Sequence, residues 1–540
     1  MKKSIISAVL LMMSAGVFAQ NLNPTVEVTN VYAREATGIE KPSQLLEMPD
    51  SVLRFNLDMD YSVNNTPYQG SYEFKPYLVQ LRPQLRPSDE GTLYARAGAG
   101  YTLHPEATVV WTPVKTGSFR LNLFGDHYSH LGQYRNITLQ DKKYLADGTF
   151  RSGKEMHTAV GADALFTWTG GALAADLQYN NILGTDITEG DISNNAFRFR
   201  ARAKSAPGTA FGYEVGTRIA FISRPAFEEL HTVSDGALGF HFGIHQVNLG
   251  VSLETVGQSF NGRAIDYCGN VALVPHYLLN AGDFHMNLGV KLSFLYRSST
   301  FCPHASGIVF PDVHISYDLA PDVAVLYASA TGGDQIISYD RLLSLNPFIG
   351  GFDWHTDNMI TRVNANLGGR GNIAERFHYD LKIGYKWDEN AWTWGISNGK
   401  PTMGYASPLH TFYANLDAGY KNEKLDIGAS LYYGYTIVPE SMKALPLFAP
   451  APFKAKGHAF YSWGGRIKAG VVAEGRSGLP GQGTVPIPGY VDLGLQASLQ
   501  MTRTLGFWIK GGNLLNQTIQ RVPLYAEKGI YFTVGATLNL

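Results

Sequence analysis

The chain has 540 residues, of which only 16% are Lys, Arg, Asp or Glu, whereas a typical soluble protein has about 25%. So few charges argue against the roughly three or four soluble domains that this length would predict. A mean hydropathy of −0.10 and the lack of an apolar stretch of roughly 20 residues beyond the N-terminus argue against a bundle of membrane helices. A net charge of −1 gives no electrostatic basis for binding nucleic acid. The 58 glycines and 12% aromatic residues instead favour a transmembrane β-barrel.

The N-terminus has the pattern of a secretory signal. Two lysines follow the initial Met and precede an apolar stretch, and Val17-Phe18-Ala19 forms a small-residue cleavage pattern. We therefore expect residues 1–19 to be a signal peptide, residues 20–50 a periplasmic N-terminal arm and residues 51–540 the barrel. The mature chain is expected to leave the cytoplasm.

Alternating apolar and polar residues predict the strands of a barrel wall. In such a wall the apolar residues face lipid, the residues between them face the lumen, and a tilted strand needs roughly 9–11 residues to cross the bilayer. Segments with this pattern include residues 173–180, 284–294, 377–386 and 491–500. Several such segments in one chain are typical of a barrel rather than of one soluble sheet.

Short and long connections alternate between these predicted strands. The short ones are turns such as Lys115-Thr116-Gly117 and Gly464-Gly465. The long ones cover residues 129–154, 184–193, 223–233, 297–306, 333–356, 387–408, 438–451, 478–488 and 515–528. Short periplasmic turns and long outer loops are expected of outer-membrane barrels. The count predicts about 22 antiparallel strands, within a range of about 20–24, with both termini in the periplasm.

One predicted strand has four cations on one face. The alternate residues from Phe197 to Ala203 would face lipid, and a charge on that face would cost about 2–4 kcal/mol near the membrane centre. The lumen-facing residues, called the basic strip below, are Arg198, Arg200, Arg202 and Lys204. They would either attract anions, as charged rings do in selective pores, or hold a folded loop in place, or pair with carboxylates such as Asp176, Asp380 or Asp492. The near-zero net charge favours pairing.

Local motifs give no sign of catalysis. The GxSxG pattern at residues 395–399 follows a predicted strand and leads into a polar loop, whereas a nucleophile elbow needs a strand–turn–helix context. The 15 histidines show no metal-ligand spacing. We therefore predict a protein that is not an enzyme and has no cofactor or metal. Cys268 and Cys302 would permit one disulfide if two loops approach each other, and they fit two unpaired thiols equally well.

The C-terminus ends on an alternating strand. Its apolar face consists of Phe532, Val534, Ala536, Leu538 and Leu540. This strand resembles the signal that the barrel-insertion machinery reads, although the usual final residue there is aromatic.

A family resemblance extends over the last three strands. Residues 490–540 look like the end of a TonB-dependent receptor, because a penultimate strand runs into Asn-Leu-Leu-Asn at residues 513–516 and the last strand starts at Gly529. Residues 24–35 (PTVEVTNVYARE) and 93–101 (LYARAGAGY) resemble a Bacteroidetes-type branch that lacks the usual plug. The sequence SYDRLLSLNPF, which starts at Ser338, resembles a short helical loop insertion of that branch.

The resemblance implies transport, but the expected N-terminal arm of 31 residues is too short for that family's plug. We therefore expect a barrel with no N-terminal plug domain and a wide lumen. One alternative is passage of a solute, either passively or with a plug supplied by another protein. The other is an occluded structural or accessory barrel that docks partners in an outer-membrane assembly. The expected partners are outer-membrane lipid, the barrel-insertion machinery and a plug-supplying or surface protein, but no nucleic acid.

Overall fold

The computed structural model describes residues 92–187, 190–206, 211–299, 304–320, 323–345, 356–374, 376–397, 399–443 and 445–540. Within these ranges the chain forms mostly β-strands and two short helices, α1 (Tyr339–Leu345) and α2 (Glu440–Lys443). The strands are β1 (Leu93–Tyr101), β2 (Glu106–Lys115), β3 (Phe119–Gln140), β4 (Lys143–Trp168), β5 (Gly171–Asp186), β6 (Gly190–Ser205), β7 (Phe211–Arg224), β8 (Phe227–Phe242), β9 (His245–Phe260), β10 (Arg263–Ala281), β11 (Phe284–Ser299), β12 (His304–Ala320), β13 (Ala324–Ile336), β14 (Asn358–Ile373), β15 (Phe377–Glu389), β16 (Ala391–Ser397), β17 (Lys400–Ala406), β18 (Leu409–Lys421), β19 (Leu425–Ile437), β20 (Leu447–Phe448), β21 (Phe453–Trp463), β22 (Ile467–Arg476), β23 (Gly481–Gln482), β24 (Tyr490–Gln500), β25 (Leu505–Gly512) and β26 (Tyr531–Asn539).

Twenty-two of these strands form one closed antiparallel barrel. Each wall strand pairs with the next wall strand along the chain, and β1 closes the barrel by pairing with β26 from Tyr94 opposite Asn539 to Tyr101 opposite Phe532. The prediction of a transmembrane antiparallel barrel of about 22 strands is confirmed. The predicted signal peptide, the N-terminal arm and the barrel start at residue 51 lie outside the described residues.

The wall follows the period-two pattern of the sequence. The four alternating segments lie in β5, β11, β15 and β24. Their apolar side chains point outward, so that Leu177 is 56%, Phe294 64% and Leu495 51% exposed. Large apolar side chains exposed in such a regular band are stable against lipid rather than against water.

Among the described residues, no helix is both long enough and apolar enough to cross a membrane.

The two ends of the barrel differ as predicted, but four of the predicted loops are wrong. Where the structure describes them, residues 129–154, 184–193, 223–233 and 297–306 are mostly strand, because β3 and β4 extend over 22 and 26 residues and β5 to β8, β11 and β12 are also long. A hairpin that extends beyond the membrane has polar side chains, so its sequence resembles that of a loop. Its backbone groups nevertheless pair across the two strands. The tip between β3 and β4 is a tight turn, in which Asp141 and Lys142 have φ values of 47° and 58°.

The later long connections leave the wall. They contain α1, α2 and a second sheet of four short strands in the order β17-β16-β20-β23. The helix expected near Ser338 is α1. Because strands alternate in direction, all of these segments lie at the same end of the barrel as the tip of the hairpin formed by β3 and β4.

Candidate functional site: the cap and the lumen wall

Several segments at the end with the long connections pack together and share apolar cores. We call them the cap. The cap consists of residues 337–345, 391–397, 399–406, 438–443, 445–451, 477–489 and 513–530. Its largest fully buried side chains include Tyr339, Phe448 and Ile487. These connections are therefore folded structure rather than solvated loops.

The cap crosses the mouth of the barrel. The hairpin of β16 and β17 leaves the wall between β15 and β18. Its Met403 nevertheless shares an apolar core with Ala196 of β6, Ile222 of β7 and Phe227 of β8. Those strands lie seven to nine positions from β15 around the 22-stranded wall. A hairpin that joins such distant strands must pass over the lumen.

A second apolar core joins the cap to the long hairpin of β3 and β4. Ile137 and Tyr144 of that hairpin pack on a cluster formed by Ile396, Phe448, Ala451, Leu479, Ile487 and Leu524. The amide of Gln520 also donates to the carbonyl oxygen of Tyr144 at 2.9 Å. The cap is thus supported from two sides of the wall.

The α1 segment is held by strand β8 at its first turn. The buried carboxylate of Glu229 accepts the backbone N–H groups of Tyr339 at 2.7 Å and of Asp340 at 2.9 Å. A carboxylate here satisfies orphan donors at a helix start and complements its positive end. The Tyr339 hydroxyl donates to Asn194 at 2.7 Å. A helix of seven residues is marginal alone, so these wall contacts stabilise it.

Asp340 is the centre of an ion-pair cluster between α1 and the wall. Its side chain is 1% exposed, and Oδ1 accepts from Arg198 Nη2 at 2.7 Å and from Arg198 Nε at 3.1 Å. Oδ2 accepts from Arg218 and lies 3.9 Å from Nδ1 of His231. Burial alone would raise the pKa of Asp340, but the guanidinium groups of Arg198 and Arg218 outweigh burial and hold this pKa well below its ordinary value. The carboxyl is therefore ionised at neutral pH.

A second pair extends this cluster, which we call the latch. Arg341 Nη1 lies 2.9 Å from Glu254 Oε1, and His231 Nε2 lies 2.9 Å from the same oxygen. The latch consists of Arg198, Arg218, Glu229, His231, Glu254, Asp340 and Arg341. It ties one short segment of the cap to strands β6, β7, β8 and β9.

Three of the four residues of the basic strip form ion pairs. Phe197 and Phe199 are exposed on the outer face at 53% and 37%. The lumen-side partners are Asp340 for Arg198, Asp176 at 3.9 Å for Arg200, and Glu214 with Asp235 at 3.3 Å for Arg202. Lys204 is exposed, and no ion pair joins it to any described residue. Of the three carboxylates considered from sequence, Asp380 accepts from the Tyr327 hydroxyl and Asp492 pairs with Arg521 at 3.0 Å.

Arg521 is a cap residue that sequence reasoning missed. Its guanidinium pairs with Glu474, with Asp492 at 3.0 Å and with Glu527 at 2.7 Å, and it lies 5.2 Å from the centre of the Tyr490 ring. These carboxylates raise the pKa of Arg521 despite its burial. Sequence reasoning could have found it from Glu474 and Asp492, because both carboxylates lie at lumen-facing positions of strands in which apolar and polar residues alternate.

The other residues predicted from sequence are those of the C-terminal strand and the two cysteines. The apolar face of β26 is outward, with Phe532 52%, Val534 53% and Leu538 36% exposed, and Leu540 continues it by pairing through its backbone with Leu93. Cys268 is buried and its Sγ lies 3.9 Å from the carbonyl oxygen of Thr356. Cys302 lies outside the described residues, so the disulfide stays a prediction.

The GxSxG motif ends β16 in a β-hairpin. Within the ranges that the structure covers, no three His, Cys, Asp or Glu side chains form a group that could hold a metal ion.

No protein-family model matches this sequence, and no curated protein sequence matches it. Several solved structures do match its fold. The ferric-catecholate import receptor Fiu of E. coli K12 has a TM-score of 0.61 at 12% identity, over 84% of this chain and 82% of Fiu. The FrpB iron transporter of Neisseria meningitidis (F3-3 variant) has a TM-score of 0.63 at 8% identity, over 83% and 81%. The siderophore receptor PiuA of Acinetobacter baumannii has a TM-score of 0.60 at 9% identity, over 83% and 81%. The chain therefore has the barrel fold of these import receptors.

Proposed function

We propose that this protein is an outer-membrane barrel of the TonB-dependent receptor type, that it admits a solute through its lumen without a plug of its own, and that the cap gates this passage. The observation that carries the proposal is the cap itself. It crosses the mouth of a barrel that is wide enough for a solute, and discrete ion pairs at α1 hold it to the wall. The likeness to import receptors in barrel fold supports the same reading.

The proposal includes the cellular arrangement expected from the sequence. A signal peptide over residues 1–19 exports the chain, both termini lie in the periplasm, and the cap faces the exterior. The barrel-insertion machinery acts on the strand that ends at Leu540. A partner protein supplies any plug, and the protein is not an enzyme.

The second candidate is an occluded accessory barrel that docks partners. The observation in its favour is that the cap has apolar cores of its own, including Leu342 at 1% and Phe448 at 1% exposure. Such cores stabilise a closed state, and the exposed Leu139 and Phe150 near the tip of the long hairpin offer an apolar contact for a partner.

Planar-bilayer conductance of the purified mature protein separates the two candidates. Gated passage predicts low conductance for the wild type and discrete openings for Asp340→Ala, with Asp191→Ala as the matched control, because Asp191 forms an exposed pair with Lys154 outside the latch. If Asp340→Ala stays closed while hydrogen exchange shows that α1 has been released, the passage proposal is wrong. Partners that co-purify from native membranes would then support the accessory role.

A further inference from the structure

A second group of lumen-wall cations lies away from the basic strip. Strand β21 lies on the far side of the barrel from β6 and β7. Its residues Phe453 and Tyr461 face lipid at 43% and 37% exposure, so Lys454 and Lys456 face the lumen. By the same alternation Lys386 of β15 and Arg476 of β22 also face inward. We call Lys386, Lys454, Lys456 and Arg476 the lumen cation cluster.

Lys454 is the residue of this cluster with surplus charge. It is exposed to the lumen, it lies opposite Arg476 of β22 in the strand register, and Lys456 follows two residues later on the same face of β21. No carboxylate among the described residues pairs with it. A lysine that faces the lumen beside two other cations has charge available for a ligand, and the field of neighbouring cations concentrates anions there.

Two other members of the cluster share their carboxylates. Lys386 lies 3.0 Å from Asp388, which also accepts from the Thr361 hydroxyl at 2.6 Å. Lys456 lies 4.0 Å from Glu474, whose other oxygen is engaged by Arg521. Because Glu474 already pairs with Arg521 and lies 4.0 Å from Lys456, this lysine can turn toward an anion, whereas Lys386 stays close to the buried Asp388.

Aromatic rings form one side of this patch. The Lys454 ammonium lies 5.5 Å from the centre of the Tyr432 ring, which stacks on Tyr413 with centroids 6.2 Å apart. The Tyr413 hydroxyl donates to Asn364 at 2.7 Å. The patch therefore offers several ammonium donors beside a polar aromatic wall.

We propose that the lumen cation cluster binds a solute with two or more phosphate or carboxylate groups, with Lys454 as its main contact. A single negative charge would neutralise one lysine, whereas a multivalent anion matches the two lysines of β21, Lys454 and Lys456, together. This inference names a substrate class for the proposed passage and therefore rests on it. It also moves the anion site from the basic strip to the opposite wall.

Isothermal titration of the purified mature protein with inorganic pyrophosphate, in an uncharged detergent at low salt, tests the site. Lys454→Gln removes one charge-assisted contact and is expected to weaken binding about tenfold or more. The matched control is Lys468→Gln, which removes an equal charge from the lumen face of β22 near its other end, where Lys468 lies 4.0 Å from Asp426. The control is expected to bind as the wild type does, and added NaCl is expected to weaken wild-type binding.

Absent binding by the wild type, or equal weakening by the two substitutions, would overturn the inference. A folded barrel is verified for each variant by its heat-dependent shift in gel mobility. The outcomes separate the site from the function. Pyrophosphate binding without conductance in any variant refutes passage and leaves the site standing, whereas conductance without pyrophosphate binding refutes the site alone.

Discussion

Removal of the Asp340 carboxylate is expected to release α1 from the wall. Asp340→Ala leaves Arg198, whose side chain is 13% exposed, without its carboxylate partner. Loss of one partner from a buried pair costs about 3–5 kcal/mol. Arg218 is 30% exposed, so water compensates part of the interaction that it loses with Asp340. We therefore take the lower end of this range. About 3 kcal/mol corresponds to a roughly 150-fold increase in the population with α1 detached.

Hydrogen exchange followed by mass spectrometry measures this population directly. Peptides that cover α1 should lose protection by about two orders of magnitude in Asp340→Ala, and strands such as β24 should keep theirs. Asp340→Asn keeps a hydrogen-bond acceptor and should have a smaller effect. Asp191→Ala removes a pair that is 49% and 42% exposed, and should change α1 exchange by less than about fivefold. If α1 protection in Asp340→Ala stays within about threefold of the wild type, the latch does not hold the cap.

Three further predictions concern the pH dependence of the latch and the wall. Because the pKa of Asp340 is lowered on folding, its stabilisation is complete above the ordinary carboxyl pKa and is lost only as pH falls through the lower folded value. Protonation of Asp340 should therefore cause no loss of α1 protection, corrected for intrinsic exchange rates, between about pH 7 and 5. His231, which contacts the same carboxylate, gains a positive charge in this window and should strengthen the latch as pH falls, so a loss of protection there would contradict this assignment. Val534→Lys puts a charge on the lipid face and should destabilise the barrel by about 2–4 kcal/mol in denaturant titration, whereas Ser498→Lys, which faces the lumen, should cost little. Gly100→Val should lower the temperature at which the folded gel band disappears, since its Cβ would overlap a carbonyl oxygen of β26, whereas Gly117→Val meets no atom within 4 Å. If Val534→Lys and Ser498→Lys are equally stable, the first wall prediction is wrong. If Gly100→Val and Gly117→Val are equally stable, the second is wrong.

The wall was predictable because its signal is local. Alternation between lipid and lumen repeats every two residues, so a segment such as 284–294 specifies both a strand and its faces without knowledge of its neighbours. The inward placement of the basic strip followed from the same rule. The rule fails outside the membrane, where both faces of a strand are polar, and for this reason the sequence of residues 129–154 predicts a loop where the structure has a hairpin.

The latch was not predictable because its contacts are not local. Arg198 and Asp340 are 142 residues apart, and their contact depends on how the connection after β13 folds over the barrel. Sequence reasoning considered a folded loop as one partner of the basic strip, but it could not name Asp340. It also missed Lys454, because an unpaired lysine is recognised only once the positions of all neighbouring carboxylates are known.

The arrangement of the cap determines where an opening would start. Release of the whole cap would expose side chains such as Phe448 and Ile487, at about 25 cal/mol for each Å² of apolar surface. Release of α1 alone exposes far less, because α1 has seven residues and its helix depends on the wall. Release of α1 would uncover wall residues of both signs, the cations Arg198 and Arg218, which then lack Asp340, and the carboxylates Glu229 and Glu254, which then lack the Tyr339 N–H and Arg341. An opening of the cap is therefore expected to start at α1, where polar contacts rather than an extensive apolar core have to be broken.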